Sequence, residues 1–346
     1  MSGPTIQSVP LFIDSEVWDR AGLNFNSPEI RVLVELVTQG RFRLLSTSIT
    51  QREVTEHVKL AGSDVKQKLE HLRKALRPFQ SADTPLCGVV DNAISQDWSQ
   101  LLVDQFSGRM DDLGVEIIDC SDVSIDVILN RYFDKEPPFG LGKKKDEFPD
   151  AIASEALEQW ATSENCEVCV VTADEDWRKR CEASTRLRHF DSLKVAFDHF
   201  TDEKLSEAIS KGLKENVDKI KAEVARKLQD RGTTLVDLNG DVEDLKLASL
   251  NLVEVHLSLI DGNRFVALVD CDIEAQAHAS YDDPGSFFWD SEDRRAYHGQ
   301  KTGHATAAFS DTIEIEGSFE LSNPASISID SVWVSQRDIE FSVANP

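Results

Sequence analysis

The sequence predicts a Rossmann-like α/β domain with a mostly parallel central sheet, followed by a connecting helix and an antiparallel all-β domain. In the first 200 residues, short apolar runs alternate with longer segments of helical periodicity, as in a parallel sheet covered on both faces. Beyond Gly232, apolar and polar residues alternate with a period of two. We therefore predict an α/β domain over residues 1–200, a helical connector over 201–234 and a β-sandwich-like accessory domain over 235–346.

Five short apolar runs are the predicted strands of the first domain. They are VPLFID at 9–14, RFRLLS at 41–46, VEIID at 115–119, CEVCVVT at 166–172 and the run at 188–191.

Helix signals fill the segments between these runs. Ser27 and Pro28 supply an N-cap hydroxyl and a proline at the first helical position, and apolar residues follow at helical spacing until Gly40. Helices are likewise predicted over about 48–77, 98–113, 123–133 and 150–161, with a last one ending near Phe200. The stretch Asp83–Asp97 is rich in turn residues.

The second half of the chain changes its period. Leu205, Ile209, Leu213, Val217 and Ile220 recur every three or four residues, which predicts one charged helix over 202–231. Alternating residues from Val253 onward predict strands, and Asp261-Gly262-Asn263 predicts a turn between two of them.

Size and composition exclude several classes of protein. The chain has 346 residues, enough for two domains, and no segment long and apolar enough to span a bilayer. Its start has no basic region followed by an apolar stretch of signal-peptide length, so we expect a cytoplasmic protein that does not engage membranes. The six cysteines are scattered, which suits a reducing compartment.

The net charge of −25 excludes a general nucleic-acid coat, because phosphate binding depends on Lys and Arg. The charge is uneven, since the residues from Leu235 onward include 21 acidic and 6 basic ones. A nucleic-acid substrate therefore belongs to the N-terminal part. The acidic C-terminal domain favours a basic protein partner or self-association, for example as a homodimer.

Four carboxylates stand where a parallel α/β sheet presents its ligand site, outside the carboxyl ends of the strands. Asp14 ends the first strand, Asp174 follows the fourth, Asp150 opens a helix behind Pro149, and Glu53 lies in the first turns of the helix after the second strand. Converging carboxylates repel one another unless a cation lies among them, and oxygen ligands suit Mg²⁺ or Mn²⁺. The alternative is structural, because 62 of the 346 residues are acidic and Asp150 could serve only its helix N-terminus.

Four motifs in this order resemble the PIN-domain nucleases, and more narrowly a bacterial subgroup with a C-terminal extension. They are LFIDSEVW at 11–18, ITQREVTEHV at 49–58, KKKDEFPDAIASEAL at 143–157 and CVVTADEDW at 169–177. The resemblance covers roughly residues 8–200.

This resemblance implies four catalytic and metal-binding acids, Asp14, Glu53, Asp150 and Asp174, with Asp176 as a fifth metal ligand. Ser15 and Thr172 would be the supporting hydroxyls. The family often has Asn two residues after the first Asp, where this chain has Glu16. The additional charge either tunes metal affinity or marks a site that has lost its activity.

The activity that the resemblance implies is hydrolysis of single-stranded RNA with a 5′-phosphate product, in a toxin or defence effector. Lys143, Lys144 and Lys145 would offset the acidic cluster and bind phosphates, and the alternative is a solvated loop. Two other functions stay open. They are an inactive PIN fold that binds RNA or protein, and a structure-specific DNA nuclease.

Overall fold

A computed structural model describes residues 8–77, 85–139, 147–236, 238–283, 285–286, 288–290, 295–297, 299–335 and 337–343. The chain folds into two compact units. Unit 1 comprises Met1–Asn26 and Leu33–Ala196, and unit 2 comprises Ser27–Val32 and Phe197–Pro346.

Unit 1 contains a five-stranded parallel sheet, which confirms the predicted fold class. Its strands are β1 (Val9–Ile13), β2 (Phe42–Thr47), β3 (Glu116–Ile118), β4 (Val168–Val171) and β5 (Leu187–Phe190). Their order across the sheet is β3-β2-β1-β4-β5, with every neighbouring pair parallel. The chain adds strands on one side of β1 first and on the other side later. The order therefore reverses between β1 and β4.

Nine helices accompany these strands along the described chain. They are α1 (Ser15–Arg20), α2 (Pro28–Thr38), α3 (Ser48–Leu76), α4 (Pro85–Ile94), α5 (Trp98–Asp112), α6 (Ile125–Asp134), α7 (Phe148–Ser163), α8 (Glu175–Glu182) and α9 (Leu193–His199). Phe12 and Val170 of the sheet pack with Leu157 of α7 and Trp177 of α8 in one buried cluster. This packing holds the first turns of α7 and α8 near the ends of β1 and β4.

Helix α4 lies within the stretch Asp83–Asp97, for which the sequence indicated turns and no helix was predicted. Leu86, Val90 and Ala93 recur at helical spacing, and a proline at position 85 suits a first helical turn because its missing N–H would have no partner there. The described turn lies at Ser95 and Gln96, directly after the helix.

Unit 2 is mostly antiparallel, as predicted. Its strands are β6 (Thr233–Leu235), β7 (Gly240–Asp261), β8 (Arg264–Asp282), β9 (Phe288–Asp290), β10 (Arg295–Tyr297), β11 (Gln300–Glu320), β12 (Asn323–Trp333) and β13 (Ile339–Val343). Six of them form one sheet in the order β6-β13-β11-β8-β7, with β12 also paired to β11, while β9 and β10 form a two-stranded sheet. Among the described strands of unit 2, only the β13–β6 pair is parallel. Gly262 and Asn263 connect β7 to β8, at the predicted turn.

Two helices, α10 (Glu203–Glu215) and α11 (Val217–Leu228), replace the single helix predicted over 202–231. Asn216 separates them, and its side-chain amide donates to the main-chain oxygen of Gly212 at 2.9 Å. Gly and Asn favour helix ends over helix interiors, which explains the break.

Both helices contact β7 and β12 and bury apolar side chains in the core of unit 2, so the layer that packs on the sheet is helical. The sandwich-like arrangement predicted from sequence differs in this respect. Sequence periodicity identifies an apolar face but not the element that covers it.

Strand β7 lies at the edge of the six-stranded sheet and is irregular. Its pairing with β8 shifts register at four places. Side chains also bind its main-chain oxygens: Gln229 donates to Leu245, and Lys221 donates to Ala248. The free edge of this strand is therefore partly occupied.

Over the ranges that the structure describes, no helix has the length and apolar character needed to cross a membrane.

Candidate active site

The reversal of strand order between β1 and β4 creates a crevice at the carboxyl ends of these strands. Ile13 pairs with Val171 at the end of the two strands, so that Asp14 and Thr172 are the next residues on each. Asp174 follows two residues later and is the N-cap of α8. In open α/β sheets, such a switch point is where ligands bind.

A buried hydroxyl connects the first two acids. The Thr172 hydroxyl donates to Oδ2 of Asp14 at 2.8 Å and accepts from the backbone N–H of Asp174 at 3.0 Å. Oδ1 of Asp14 accepts from the backbone N–H of Ser15 at 2.7 Å. Thr172 is fully buried and Asp14 is 6% exposed, so the Asp14 carboxylate and the backbone of Asp174 are both held at the strand ends.

Helix α8 connects the third acid to the cluster through Trp177. Its indole N–H donates to Oδ1 of Asp150 at 3.0 Å, while its backbone N–H donates to Oδ1 of Asp174 at 3.0 Å. The Trp177 ring stacks on Phe12 of β1, with ring centroids 5.3 Å apart. One buried residue therefore orients two carboxylates that are distant in sequence.

Glu53 completes the group from the second turn of α3, the helix that follows β2. Ser15 forms a hydrogen bond with the Glu53 side chain, and the Asp14 charge acts on the same carboxylate. His57, one turn further along α3, lies near enough to favour the charged form of Glu53. The structure thus brings together Asp14, Glu53, Asp150 and Asp174, as the sequence predicts.

Mutual repulsion and burial perturb these acids. Burial raises the pKa of Asp150 to about 7; the hydrogen bond from Trp177 opposes this increase, and the negative charges of Asp14, Glu53 and Asp174 add to it. Burial also raises the pKa of Asp14 and of Glu53 above their ordinary values, and the Asp14 charge adds to the increase at Glu53. Each of the three carboxyls is therefore protonated more readily than a free carboxyl, and a nearby positive charge would favour its ionised form.

Within the described residues, no Lys or Arg forms an ion pair with any of these four carboxylates. In their hydrogen bonds to the described residues, Asp150 and Asp174 each use only Oδ1. Carboxylate oxygens without a cationic partner are the donor set that Mg²⁺ and Mn²⁺ prefer. The residues therefore fit one or two divalent ions.

Asp176 and Glu16 have different surroundings. The Asp176 carboxylate forms an ion pair with Lys179 at 3.0 Å, and its backbone N–H donates to Asp174. Glu16 forms an ion pair with Arg20 at 2.6 Å on the exposed side of α1, although its charge also raises the pKa of Asp14. Both acids thus have cationic partners of their own.

Lys143, Lys144 and Lys145 lie outside the described residues, so their role as a phosphate-binding group stays a prediction. They precede Asp150 by five to seven positions in the chain.

Trp177 is a member of the site that was not predicted from sequence. The signal was available in part, because Trp177 follows Asp174 at the third position of a helix, where a backbone N–H reaches the N-cap carboxylate. The bond to Asp150 spans 27 positions and depends on the packing of α7 against α8, which local sequence does not encode.

A family model described as a PIN domain matches residues 11–177, and no curated protein matches the chain. The matched range contains all four converging acids, Thr172 and Trp177. PIN domains are generally nucleases that use divalent metal ions. Residues 11–177, just under half of the chain, therefore match the PIN-domain family.

Proposed function

We propose that this protein is a metal-dependent endoribonuclease that hydrolyses phosphodiester bonds of single-stranded RNA and leaves 5′-phosphate ends. The observation that carries the proposal is the convergence of Asp14, Glu53, Asp150 and Asp174 at the switch point, with no described Lys or Arg paired to them. Acids that serve only to cap helices would not need to converge, and structural acids would have basic partners.

In this proposal, Asp14, Asp150 and Asp174 hold the divalent ions, and Glu53 completes the ligand shell or orients the attacking water. When bound, the ions supply charge that activates a water molecule and stabilises the leaving oxygen of the phosphodiester.

The neighbouring residues of the chain act by positioning. Thr172 holds Asp14 and Asp174 at a fixed separation through one hydroxyl, and Trp177 holds Asp150 and Asp174. Each hydrogen bond reduces the freedom that the acids would lose on binding a cation. Ser15 acts on Glu53 in the same way.

RNA is the preferred substrate on three grounds. The four motifs resemble RNA-cleaving members of the family, the acidic excess lies in the last third of the chain, and three consecutive lysines precede Asp150. In the proposal, Lys143, Lys144 and Lys145 contact phosphates and offset the negative charge of the site.

The test is cleavage of matched single-stranded RNA and DNA oligonucleotides in Mn²⁺, Mg²⁺ and EDTA. We expect metal-dependent cleavage of RNA, loss of cleavage in Asp14→Asn and Asp150→Asn, and normal cleavage in Asp64→Asn. Asp64 is a suitable control because it lies on α3, the helix of Glu53, and pairs with Lys68 on the exposed surface.

Each alternative has its own outcome in this assay. Cleavage of DNA alone would make the protein a DNA nuclease, and its structure specificity would then be measured on branched DNA. Binding of RNA without cleavage would make the protein an inactive binding module. Cleavage that survives both site substitutions would defeat the proposal, because it would come from a contaminant.

We further propose a cytoplasmic role as a toxin or defence effector, with an acidic unit 2 that binds a basic protein partner or a second copy of the chain. Induced expression in bacterial cells should arrest growth, and Asp150→Asn should abolish the arrest. A basic partner should be released from the immobilised full chain at high salt, since salt screens exposed charges. Equal recovery at low and high salt would remove the electrostatic basis for this partner.

A further inference from the structure

Strands β7 and β8 of unit 2 carry a second cluster of metal-binding residue types, separate from the PIN-domain acids. Glu254 and His256 are two positions apart on β7, and Asp270 pairs with Glu254 across the strands. Alternate residues of a strand and directly paired residues share one face of a sheet. One potential ligand atom from each of the three residues lies within 4.8 Å of the others.

The histidine of this cluster is held in one orientation. Its side chain is 7% exposed, and its Nδ1 atom lies 2.8 Å from Oδ2 of Asp198. The other oxygen of Asp198 accepts the backbone N–H of Leu257 at 2.7 Å, so this carboxylate is itself fixed on β7. Thr201 donates to the main-chain oxygen of Leu257 at 2.8 Å and fixes the same segment.

The hydrogen bond to Asp198 determines whether the second ring nitrogen of His256, Nε2, can bind a cation. With a proton on Nδ1 donated to Asp198, the Nε2 atom of His256 carries a lone pair. Among the described residues it has no hydrogen-bond partner, and Oε2 of Glu254 lies 3.8 Å away. Two acceptors facing each other at this distance are unfavourable unless a cation or a proton lies between them.

Asp270 is oriented in a comparable way. The Thr312 hydroxyl, on the neighbouring strand β11, donates to Oδ1 of Asp270 at 2.6 Å. Metal-binding histidines and carboxylates in proteins are commonly held by such outer hydrogen bonds, which set ring orientation and raise ligand basicity. His256 and Asp270 both have an outer partner of this kind.

We propose that Glu254, His256 and Asp270 bind a zinc ion, with water as the remaining ligand. One imidazole nitrogen and two carboxylate oxygens suit zinc better than Mg²⁺, which prefers oxygen ligands alone. A tetrahedral ion with bonds of about 2.1 Å places its ligands about 3.4 Å apart. The Glu254 side chain is 66% exposed and can make the small approach that this requires.

The proposed ion has a structural consequence. It would join the edge strand β7 to β8 at the point where Asp198 and Thr201 bind Leu257. The two sites of the protein would then differ in ion, because the PIN-domain site offers oxygen donors and this one includes a nitrogen.

A different explanation needs no metal. A protonated His256 could lie between Asp198 and Glu254 as an ion pair. The two explanations differ in stoichiometry and in metal ligation, so direct measurement of bound metal separates them.

The test is equilibrium dialysis against micromolar Zn²⁺, followed by elemental analysis, in a full-length Asp14→Asn/Asp150→Asn background that weakens the other site. We expect one tightly bound zinc per chain, lost in His256→Asn and in Glu254→Gln. Asp198→Asn should weaken binding about 10- to 100-fold, because it removes only the outer partner. Zinc-edge X-ray absorption of the background protein should show one imidazole ligand.

His278→Asn is the matched control. His278 pairs with His304 across β8 and β11, with ring centroids 4.8 Å apart, and is the obvious competing zinc ligand. Full zinc binding in this variant supports the proposal, and its loss overturns it. Absence of bound zinc in the background protein, or unchanged zinc in Glu254→Gln, also overturns it. Because Glu254 is exposed, that variant decides the question even if His256→Asn fails to fold.

Discussion

Helix α7 carries two groups of acidic side chains that differ in whether arginine residues pair with them. Asp150, in its first turn, lies among three other carboxylates, and no described Lys or Arg pairs with it. Glu155 and Glu158, one and two turns further along, bind Arg131 and Arg180. Arg131 lies 2.5 Å from Glu155, and Arg180 contacts Glu158.

The second group shows how this chain stabilises acids for structural purposes. Burial lowers the pKa of Arg180 to about 10, and the nearby Arg131 charge contributes to the decrease, yet both guanidinium groups remain paired with glutamates. The pairs connect α6, α7 and α8. A buried acid in this part of unit 1 can thus have an arginine partner, which makes the unpaired group around Asp150 informative.

The two groups of acidic side chains on α7 therefore have different roles, one in stability and one in cation binding. Paired acids stabilise the fold, and their remaining oxygens accept hydrogen bonds from Gln159 and Ser184. Unpaired acids destabilise the metal-free fold through mutual repulsion and leave oxygens available to a cation. Substitutions of the unpaired acids should therefore lower activity, and substitutions of the paired acids should lower stability.

The largest effect is expected for Asp150→Asn. We expect nuclease activity to fall by at least about 10³-fold, as for removal of a principal catalytic group, while the melting temperature of the metal-free protein stays the same or rises. Initial rates of RNA cleavage and thermal unfolding in EDTA measure both quantities. If Asp150→Asn lowered the stability as much as we expect for Glu155→Gln, the proposed difference between the paired and unpaired acids would be wrong.

Glu155→Gln should show the opposite pattern. Its loss leaves Arg131 and Arg180 with too little buried negative charge, which should lower the free energy of unfolding by about 3 kcal/mol. Activity per folded molecule should change little. Urea unfolding and active-site titration measure the two, and Asp64→Asn serves as the surface control. Normal stability in Glu155→Gln would show that the arginine pairs contribute nothing to the fold.

The unpaired group also predicts a pH dependence. The pKa values of Asp14, Glu53 and Asp150 are raised on folding, so the folded protein keeps protons that the unfolded chain releases. Stability of the metal-free protein should therefore decrease as pH rises from about 4 to about 7. The total decrease should be on the order of 2–3 kcal/mol, and it should be smaller in Asp150→Asn, which removes the group with the largest shift.

Saturating Mn²⁺ at pH 8 should restore the lost stability, because an ion that binds only the folded state adds about 2.7 kcal/mol at a hundred times its Kd. Chemical unfolding at several pH values, with EDTA or Mn²⁺, measures both effects. A metal-free protein that becomes more stable over this pH range would contradict the electrostatic description of the site.

Thr172→Val tests whether the Thr172 hydroxyl positions the metal-binding acids. The substitution keeps the shape of the side chain and removes the hydroxyl shared by Asp14 and Asp174. We expect activity to fall about 10- to 100-fold through a weaker apparent affinity for Mn²⁺. Rates measured over a range of Mn²⁺ concentrations should partly recover at high metal. A decrease that no metal concentration reverses would assign Thr172 a structural role alone.

The smallest effect is expected for Asp176→Asn. Its carboxylate pairs with Lys179 at the surface, and such pairs contribute at most about 1 kcal/mol, so activity should change by less than about fivefold. Asp174→Asn, two positions earlier, is the comparison and should resemble Asp150→Asn. Equal losses in the two variants would instead make Asp176 a metal ligand, as the family resemblance implies.

The features predictable from sequence are those that local pattern encodes. Short apolar runs locate the parallel strands, and the positions of Asp14 and Asp174 after two of them follow directly. Helix α4 was missed because Asp83, Pro85 and Gly88 also suit turns. The break at Asn216 was missed because the apolar rhythm continues through it.

Contacts between distant elements were beyond the sequence argument. The Trp177 bond to Asp150 and the pairing of Arg180 with Glu158 each require α7 and α8 to lie side by side. Spacing alone could not separate Asp174 from Asp176 either, because a lysine three residues further along a helix neutralises only the second.

The irregular edge of β7 protects the protein against aggregation through this strand. A strand of this length at the border of a sheet could recruit the same strand from another molecule and start a fibrous aggregate. Side chains of Gln229, Lys221, Thr201 and Asp198 already bind its main-chain groups, and the shifts in register disturb the flat repeat that an incoming strand would need. Removing these side chains should therefore increase turbidity on storage before it alters catalysis.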